Sequence, residues 1–310
     1  MREGRRVGLR LEELAPGLLL IHAPMEGRIP YAHSILVPGE PGSKGSKGIL
    51  VDTGLGPWLL RLLKKRFAVG LVLNSHYHRD HTWGNYLFKN VPIKAHSLDA
   101  PMLNSMRVYF RMMGLAGRRD AALIKRFTLT FIPHTPGPHV GTFDGGEVFE
   151  AGGVELEVIH LPGHSPGHCG FLQREARVLF SADIVPDDFG PWYGHACSSM
   201  EDFASSINRI IAMRPDILVP AHGSPIRRRI VSRLRKYRDK IRWRERRLLS
   251  LLESPLTLAE ILARHPFYGR SPAALRLPYS FWEETMVVKH LEKLVEEGEV
   301  EKRGARFVAR

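Results

Sequence analysis

The chain has 310 residues, of which 44% are hydrophobic and 25% charged, with a net charge of +13; this suits a globular protein with one large domain and a small one. No apolar run reaches the roughly 18–20 residues that a membrane span needs, and the charged start, Met1 to Gly8, lacks the apolar stretch of a secretion signal, so a cytoplasmic protein without membrane contact is expected. Two cysteines, Cys169 and Cys197, exclude a disulfide framework and a zinc-thiolate pattern, and read as small packed residues.

In chain order, apolar runs at Leu18–His22, Ser34–Val37 and Gly48–Asp52, separated by turns rich in Gly, Pro and Ser, predict hairpin-linked strands. Pro57 opens a helix that runs to Phe67. Strands then alternate with helices, at Gly70–Leu73, Ile93–Ala95, Val154–Ile159, Gly170–Leu172, Arg177–Phe180 and Asp216–Val219, which makes this an α/β chain. Residues 97–140 break that rhythm. Met102, Met106, Met112 and Met113 lie there among aromatics and arginines, and two short helices are expected, as a packed insertion or as a lid over a site.

Ile226, Ile230, Leu234, Tyr237, Ile241, Leu248 and Leu252 form an apolar stripe at helical spacing, with a basic outer face. Residues 226–248 hold 12 Lys and Arg against Asp239 and Glu245, so +10 of the net charge is concentrated there. Capping boxes at Thr257–Glu260 and Ser280–Glu283 predict a short helix to about Ala263 and a longer one from Phe281 to Glu297, stopped by Gly298. Val300–Val308 reads as a hairpin turning near Arg303-Gly304. Helices followed by a hairpin give a winged-helix outline. The expected division is a first domain over residues 1–225, a connecting helix over 226–252 and a small domain over 253–310.

The chemistry sits at strand ends. The run Val69–Leu73 stops at Asn74-Ser75 and delivers His76-Tyr-His-Arg-Asp-His81, three imidazoles and a carboxylate within six residues. Such donors suit zinc, iron or manganese. Val154–Leu161 runs into Pro162-Gly-His-Ser-Pro-Gly-His168, Val178–Phe180 into Ser181-Ala-Asp183, and Ile217–Val219 into Pro220-Ala-His-Gly223. A lone histidine beside proline and glycine is more often a turn residue. Four such endings predict loops gathered at one edge of a sheet around a shared metal site.

His76-x-His78-x-Asp80-His81, followed by His164, Asp183 and His222 and preceded by Val51-Asp-Thr-Gly54, resembles the metallo-β-lactamase superfamily over about residues 15–225. The resemblance implies an αββα sandwich, here with a small C-terminal winged-helix domain. It implies that His76, His78 and His164 bind a first ion, that Asp80, His81 and His222 bind a second, and that Asp183 bridges them. Asp52 would orient the ligands, and His168 would support them from behind. The implied cofactor is two zinc ions, with iron or manganese as alternatives. Asp80 and Asp183 are the catalytic candidates: a hydroxide held between the ions would attack a polarised carbonyl or phosphoryl group, oriented by Asp80.

His78 stands where the similar flavodiiron proteins carry Glu, which excludes them. Persulfide dioxygenases keep a similar residue set around one iron and stay as the oxidoreductase alternative; a metal-binding protein without catalysis is a third reading. The Gly163–His168 motif resembles glyoxalase II, which cleaves thioesters. The stretches Arg244–Leu252, Leu258–Leu262 and His290–Val300 resemble β-lactamase-like protein 2, a winged-helix subgroup whose animal members are endoribonucleases for single-stranded RNA. Substrates implied are therefore a small-molecule thioester, ester or lactone, or single-stranded RNA. With five Glu and two Lys, Phe281–Glu297 repels phosphates, so no sequence-specific DNA reading is expected and this domain should pack on the first or on a second subunit. For the basic helix a solvated face is the favoured reading, and steering of a polyanion the sharper one. Phe189–Tyr193 and Trp83 are read as core before a pocket wall or base-stacking surface.

Overall fold

A computed structural model describes residues 8–40, 42–43, 45–132, 135–269 and 276–310. The first sheet holds β1 (Leu11–Ala15), β2 (Leu18–Ile21), β3 (Ser34–Val37), β4 (Gly48–Val51), β5 (Val69–Asn74), β6 (Ile93–His96) and β7 (Val140–Phe143), in that spatial order. Pairing is antiparallel from β1 to β4 and parallel from β4 to β7. The second sheet holds β8 (Val148–Ala151), β9 (Val154–His160), β10 (Cys169–Gln173), β11 (Val178–Ala182) and β12 (Ile217–Pro220), ordered β12-β11-β10-β9-β8. Only β11 and β12 pair in parallel there.

Helices are α1 (Pro57–Arg66), α2 (Arg79–Thr82), α3 (Ala100–Asn104), α4 (Met106–Met113), α5 (Ala121–Phe131), α6 (Met200–Met213), α7 (Ile230–Leu251), α8 (Leu258–Leu262) and α9 (Arg276–Glu296). A third sheet, ordered β13-β15-β14, joins β13 (Leu256–Thr257), β14 (Val300–Arg303) and β15 (Arg306–Ala309).

Alternation along the strands builds the layers, because successive side chains leave opposite faces. Ile35, Val37, Ile49 and Val51 of the first sheet meet Phe171, Val178, Phe180 and Val219 of the second in a shared core. Their neighbours Leu36, Leu50 and Val72 point the other way, onto Leu59, Leu60 and Leu63 of α1. Leu172, Leu179 and Leu218 likewise leave the second sheet toward Phe203, Ile207 and Ile210 of α6 and Leu234 and Tyr237 of α7. The result is an αββα sandwich. Strands β4, β5, β6, β9, β11 and β12 all end at one edge, where their loops converge.

The expected strands and helices form, with shifts of a residue or a few at their ends. Six strands and helices have no counterpart among the expectations: β1, β7, β8, β13, α2 and α6. Residues 97–140 hold three helices, not two, and end in β7. The capping box at Thr257 forms as expected. That at Ser280 does not: α9 already starts at Arg276, and the Glu283 carboxylate instead accepts from Phe267 N at 2.8 Å and Tyr268 N at 2.9 Å. The long basic helix starts at Ile230, and Ile226 pairs with Leu218 at the margin of the second sheet.

Through α7 the C-terminal segment shares its core with the sandwich. Leu234, Tyr237 and Ile241 pack against the second sheet's outer cluster, while Leu248 and Leu252 pack with Ile261, Val287, Leu291 and Val300. Both cysteines are free thiols. No helix among the described residues is long and apolar enough to cross a membrane.

Candidate metal centre

Two groups of donors meet at the converging strand ends. His76, His78, His164 and Asp183 offer ligand atoms all within 4.8 Å of one another, and so do Asp80, His81 and His222. Every site residue expected from the sequence lies in one of these groups. Asp183 faces both: its Oδ2 lies 3.0 Å from His164 Nε2 and 3.8 Å from His76 Nε2. Its Oδ1 lies 2.9 Å from His81 Nε2 and 3.3 Å from His222 Nε2. Asp80 Oδ2 stands 3.5 Å from His222 Nε2 and 3.8 Å from His81 Nε2.

The far nitrogen of each ring fixes which nitrogen faces inward. His81 Nδ1 donates to Asp52 Oδ2 at 2.8 Å, His164 Nδ1 to the Trp192 carbonyl at 3.0 Å, and His222 Nδ1 to the Gly27 carbonyl. Ser75 Oγ donates to Asp52 Oδ2 at 2.7 Å, so its oxygen accepts from His76 Nδ1 at 3.0 Å. His78 Nε2 lies 3.0 Å from His195 Nδ1. With those nitrogens protonated, five inward imidazole nitrogens face one carboxylate and each other, each a lone-pair donor when its ring is neutral. His78 Nδ1 and His164 Nε2 are only 2.9 Å apart, and His76 Nε2 is buried without a hydrogen-bond partner. A convergence of lone pairs is repulsive by itself and suits divalent cations, so the residues fit the metal pair the resemblance implies.

Electrostatics point the same way. Burial and the neighbouring rings hold His76 and His78 well below the usual histidine range, that is, neutral and ligand-ready. Burial would raise Asp183, but His81, His164, His222 and His76 around it hold its carboxyl well below the usual range. Burial disfavours a charged His81, yet the carboxylates of Asp183, Asp52 and Asp80 raise it well above its ordinary value.

The scaffold behind these donors is specific. Asp52 has φ +60, a strained conformation for a residue with a side chain. That twist lets its carboxylate accept from Ser75 N at 2.7 Å as well as from Ser75 Oγ and His81. His168, expected behind the ligands, donates from Nδ1 to the Leu161 carbonyl and accepts at Nε2 from Asp183 N at 3.1 Å. Burial drives its pKa to about 3, so it stays a neutral acceptor.

Three further residues escaped the sequence reading. Asp99 ties two ligand loops together, accepting from Tyr77 N at 3.0 Å, Ser165 Oγ at 2.6 Å and Gly167 N at 2.7 Å; an acid three residues past an apolar strand was its signal. His33 accepts from Ala23 N at 2.8 Å and reaches the Gly223 carbonyl at 3.0 Å, steadying the loop of His222. His195 stands behind His78. Of the aromatics, Trp192 packs against the His78 and His164 rings at 5.6 and 5.4 Å. Trp83 packs on Tyr31.

Gly54 matters by what it lacks. A Cβ there would lie 2.1 Å from the Asp80 carbonyl oxygen and 2.8 Å from Ala32 Cβ. Gly54→Ala is therefore expected to push the Asp80–His81 turn out of place and cut kcat/KM about 100-fold, the scale of a 1 Å misplacement. Kinetics of the purified variant decide it; wild-type turnover would refute the contact argument.

A family model described as "Metallo-beta-lactamase superfamily" matches residues 40–222. The chain is similar to the "Lactamase-like protein aptB" of Emericella nidulans, at 30% identity over 67% of this chain and 58% of that one. It is similar to the "Atrochrysone carboxyl ACP thioesterase dmxR1" of a Cryptosporiopsis species, at 28% identity over 67% of this chain and 55% of that one. It thus spans little more than half the length of these two relatives. Its fold is similar to the crystal structure of a metallo-β-lactamase family protein from Thermus thermophilus, with TM-score 0.69 and 25% identity over 96% of this chain and all of that one.

Proposed function

The chain belongs to the metallo-β-lactamase superfamily, and from its site we propose that it is a hydrolase of thioesters that works with two zinc ions. The observation that carries the two-ion reading is Asp183, whose two carboxylate oxygens face separate donor groups. His76, His78 and His164 would hold one ion, Asp80, His81 and His222 the other, with Asp183 common to both. Bound there, the metal pair supplies an activated water at neutral pH and an electrophile for the carbonyl oxygen.

The chain's own residues do the remaining work. Asp52, Ser75 and His168 fix the donors, so that little reorganisation is left for the reaction itself. Asp80 would orient the attacking water. Trp192 screens the His78 and His164 rings. Relatives named as carboxyl ACP thioesterases support a thioester as the substrate class, as does the glyoxalase-like third motif. The basic outer face of α7 and the turn before it, with Arg228, Arg229, Arg233 and Arg235 exposed, supports single-stranded RNA as the second reading. We read residues 253–310 as a winged-helix domain, on the strength of α8, α9 and the β14–β15 hairpin.

Two measurements test this. Metal analysis is expected to find two zinc ions per chain; one iron, with oxygen uptake, would replace the hydrolase with a dioxygenase. Given an acyl-coenzyme A thioester and a single-stranded RNA side by side, the chain is expected to release thiol. Asp80→Ala is expected to lower that rate about 10²–10³-fold, the usual cost of losing one transition-state contact. RNA cleavage without thiol release would overturn the substrate assignment. Treatment with a chelator should abolish thiol release, and added zinc should restore it.

A further inference from the structure

We infer that residues 189–198 form a brace through which the C-terminal helices hold two histidines of the first metal position, His78 and His164, with His195 and Arg244 as positioning residues. The inference rests on the two-ion reading above and extends it to residues outside the donor set.

One side of the brace touches the ligands. His195 Nδ1 lies 3.0 Å from His78 Nε2 and 2.6 Å from the Tyr77 hydroxyl, so its one lone pair faces both donors. The Trp192 carbonyl takes the proton of His164 Nδ1 at 3.0 Å, and Ser198 Oγ donates to the His164 carbonyl at 2.9 Å. Both His78 and His164 are thereby oriented by a single loop.

The other side is clamped from α7 and α9. Arg244, 1% exposed, donates to the Pro191 carbonyl at 2.5 Å, the Tyr193 hydroxyl at 2.9 Å and the Phe189 carbonyl at 2.7 Å. Its guanidinium also lies over the rings of Phe189, Tyr193 and Phe267, at 4.9, 5.2 and 5.6 Å. A buried arginine whose fork is spent on two carbonyls of one loop fixes that loop's path. From α9, His290 Nε2 meets the Tyr193 hydroxyl at 2.7 Å, and Lys289 Nζ donates to the Ala196 and Ser198 carbonyls at 3.0 and 2.6 Å. Among the described residues, no hydrogen bond from α7 or α9 reaches Asp80, His81 or His222, the donors peculiar to the second metal position. His81 hangs on Asp52, and His222 on Gly27 and the His33–Gly223 contact, all in the sandwich.

Loss of the brace should therefore loosen one metal position and spare the other. The test is cobalt(II) titration of the full chain against a competing chelator, read by the visible absorption of the bound ion. Wild type is compared with His195→Ala, His195→Asn, Arg244→Met and, as a control for loosening elsewhere, Thr257→Ala, which removes the cap of α8. His195→Ala and Arg244→Met are expected to weaken one cobalt equivalent about 10–100-fold, the usual cost of losing a ligand's hydrogen-bond partner, and to leave the other unchanged. His195→Asn, which keeps an acceptor for His78 Nε2, should recover most of the loss. Thr257→Ala should lower Tm without moving either affinity. If wild type binds cobalt and the two brace variants bind it equally well, or lose both equivalents alike, the brace is wrong. A wild-type chain that takes up no cobalt would overturn the metal reading and the brace with it.

Discussion

Asp183→Asn is expected to cut kcat/KM by about 10³-fold or more and to lower the metal content of the purified chain. Removing one preorganised contact to the transition state typically costs about 10²–10³-fold, and Asp183 serves two donor groups at once. Its Oδ2 lies 3.0 Å from His164 Nε2 and its Oδ1 lies 2.9 Å from His81 Nε2. The asparagine is nearly isosteric, so the loss is electrostatic, not steric. It leaves five rings around a neutral amide, with Asp80 as the one carboxylate left among these donors to balance two cations. One amide edge would also present an N–H donor to nitrogens that offer lone pairs. Activity and zinc content of the variant, measured together, decide the point. Full activity would show that Asp183 does not connect the two positions.

The donors were legible because each follows a buried strand within a few residues, and buried strands announce themselves as apolar runs. What stayed hidden had physical reasons. The four unexpected strands, β1, β7, β8 and β13, are all sheet edges. An edge strand buries less and carries more polar residues, as Glu12, Glu13 and Glu150 do here. Asp99 is a single acid whose partners lie 22 to 68 residues away. His195 meets His78 across 117 positions, and no local pattern encodes such a meeting.

Arg244 was hidden by its own kind. In a stretch with 12 basic residues over 226–248 it looked like one more solvated charge, yet the apolar stripe passes from Ile241 to Leu248 with a gap of seven. Arg244 fills that gap at i+3, on the buried face. The missing apolar residue in the stripe was the signal. That same face joins the C-terminal helices to the metal loops, so the segment beyond residue 226 is part of the centre's support and not a passive appendage.

That junction makes the fold sensitive to acid, and His290 should account for a measurable share. Burial, with Arg244 and Lys293 nearby, lowers its pKa to about 3. Arg244 donates to the Tyr193 oxygen, so the Tyr193 hydroxyl proton goes to His290 Nε2, 2.7 Å away, and only a neutral ring can take it. Glu245 Oε1 lies 3.9 Å from His290 Nδ1 but is engaged by Lys293 at 2.7 Å, which limits its ability to balance a charged imidazole. Unfolded, the ring takes its proton near pH 6.5; folded, it resists to about 3. Between those values the unfolded chain binds more protons, so stability falls as pH falls. The slope is about 1.4 kcal/mol per pH unit, or roughly 3 kcal/mol lost by pH 4.5. Urea unfolding of the metal-free chain and of His290→Asn, at pH 7.5 and 4.5, isolates the effect, because every other titrating group is common to both. The stability advantage of the wild type should shrink by roughly 3 kcal/mol across that range. An advantage that stays constant would mean that the folded ring takes up its proton at the same pH as the unfolded one, and that the Tyr193 contact does not hold it neutral.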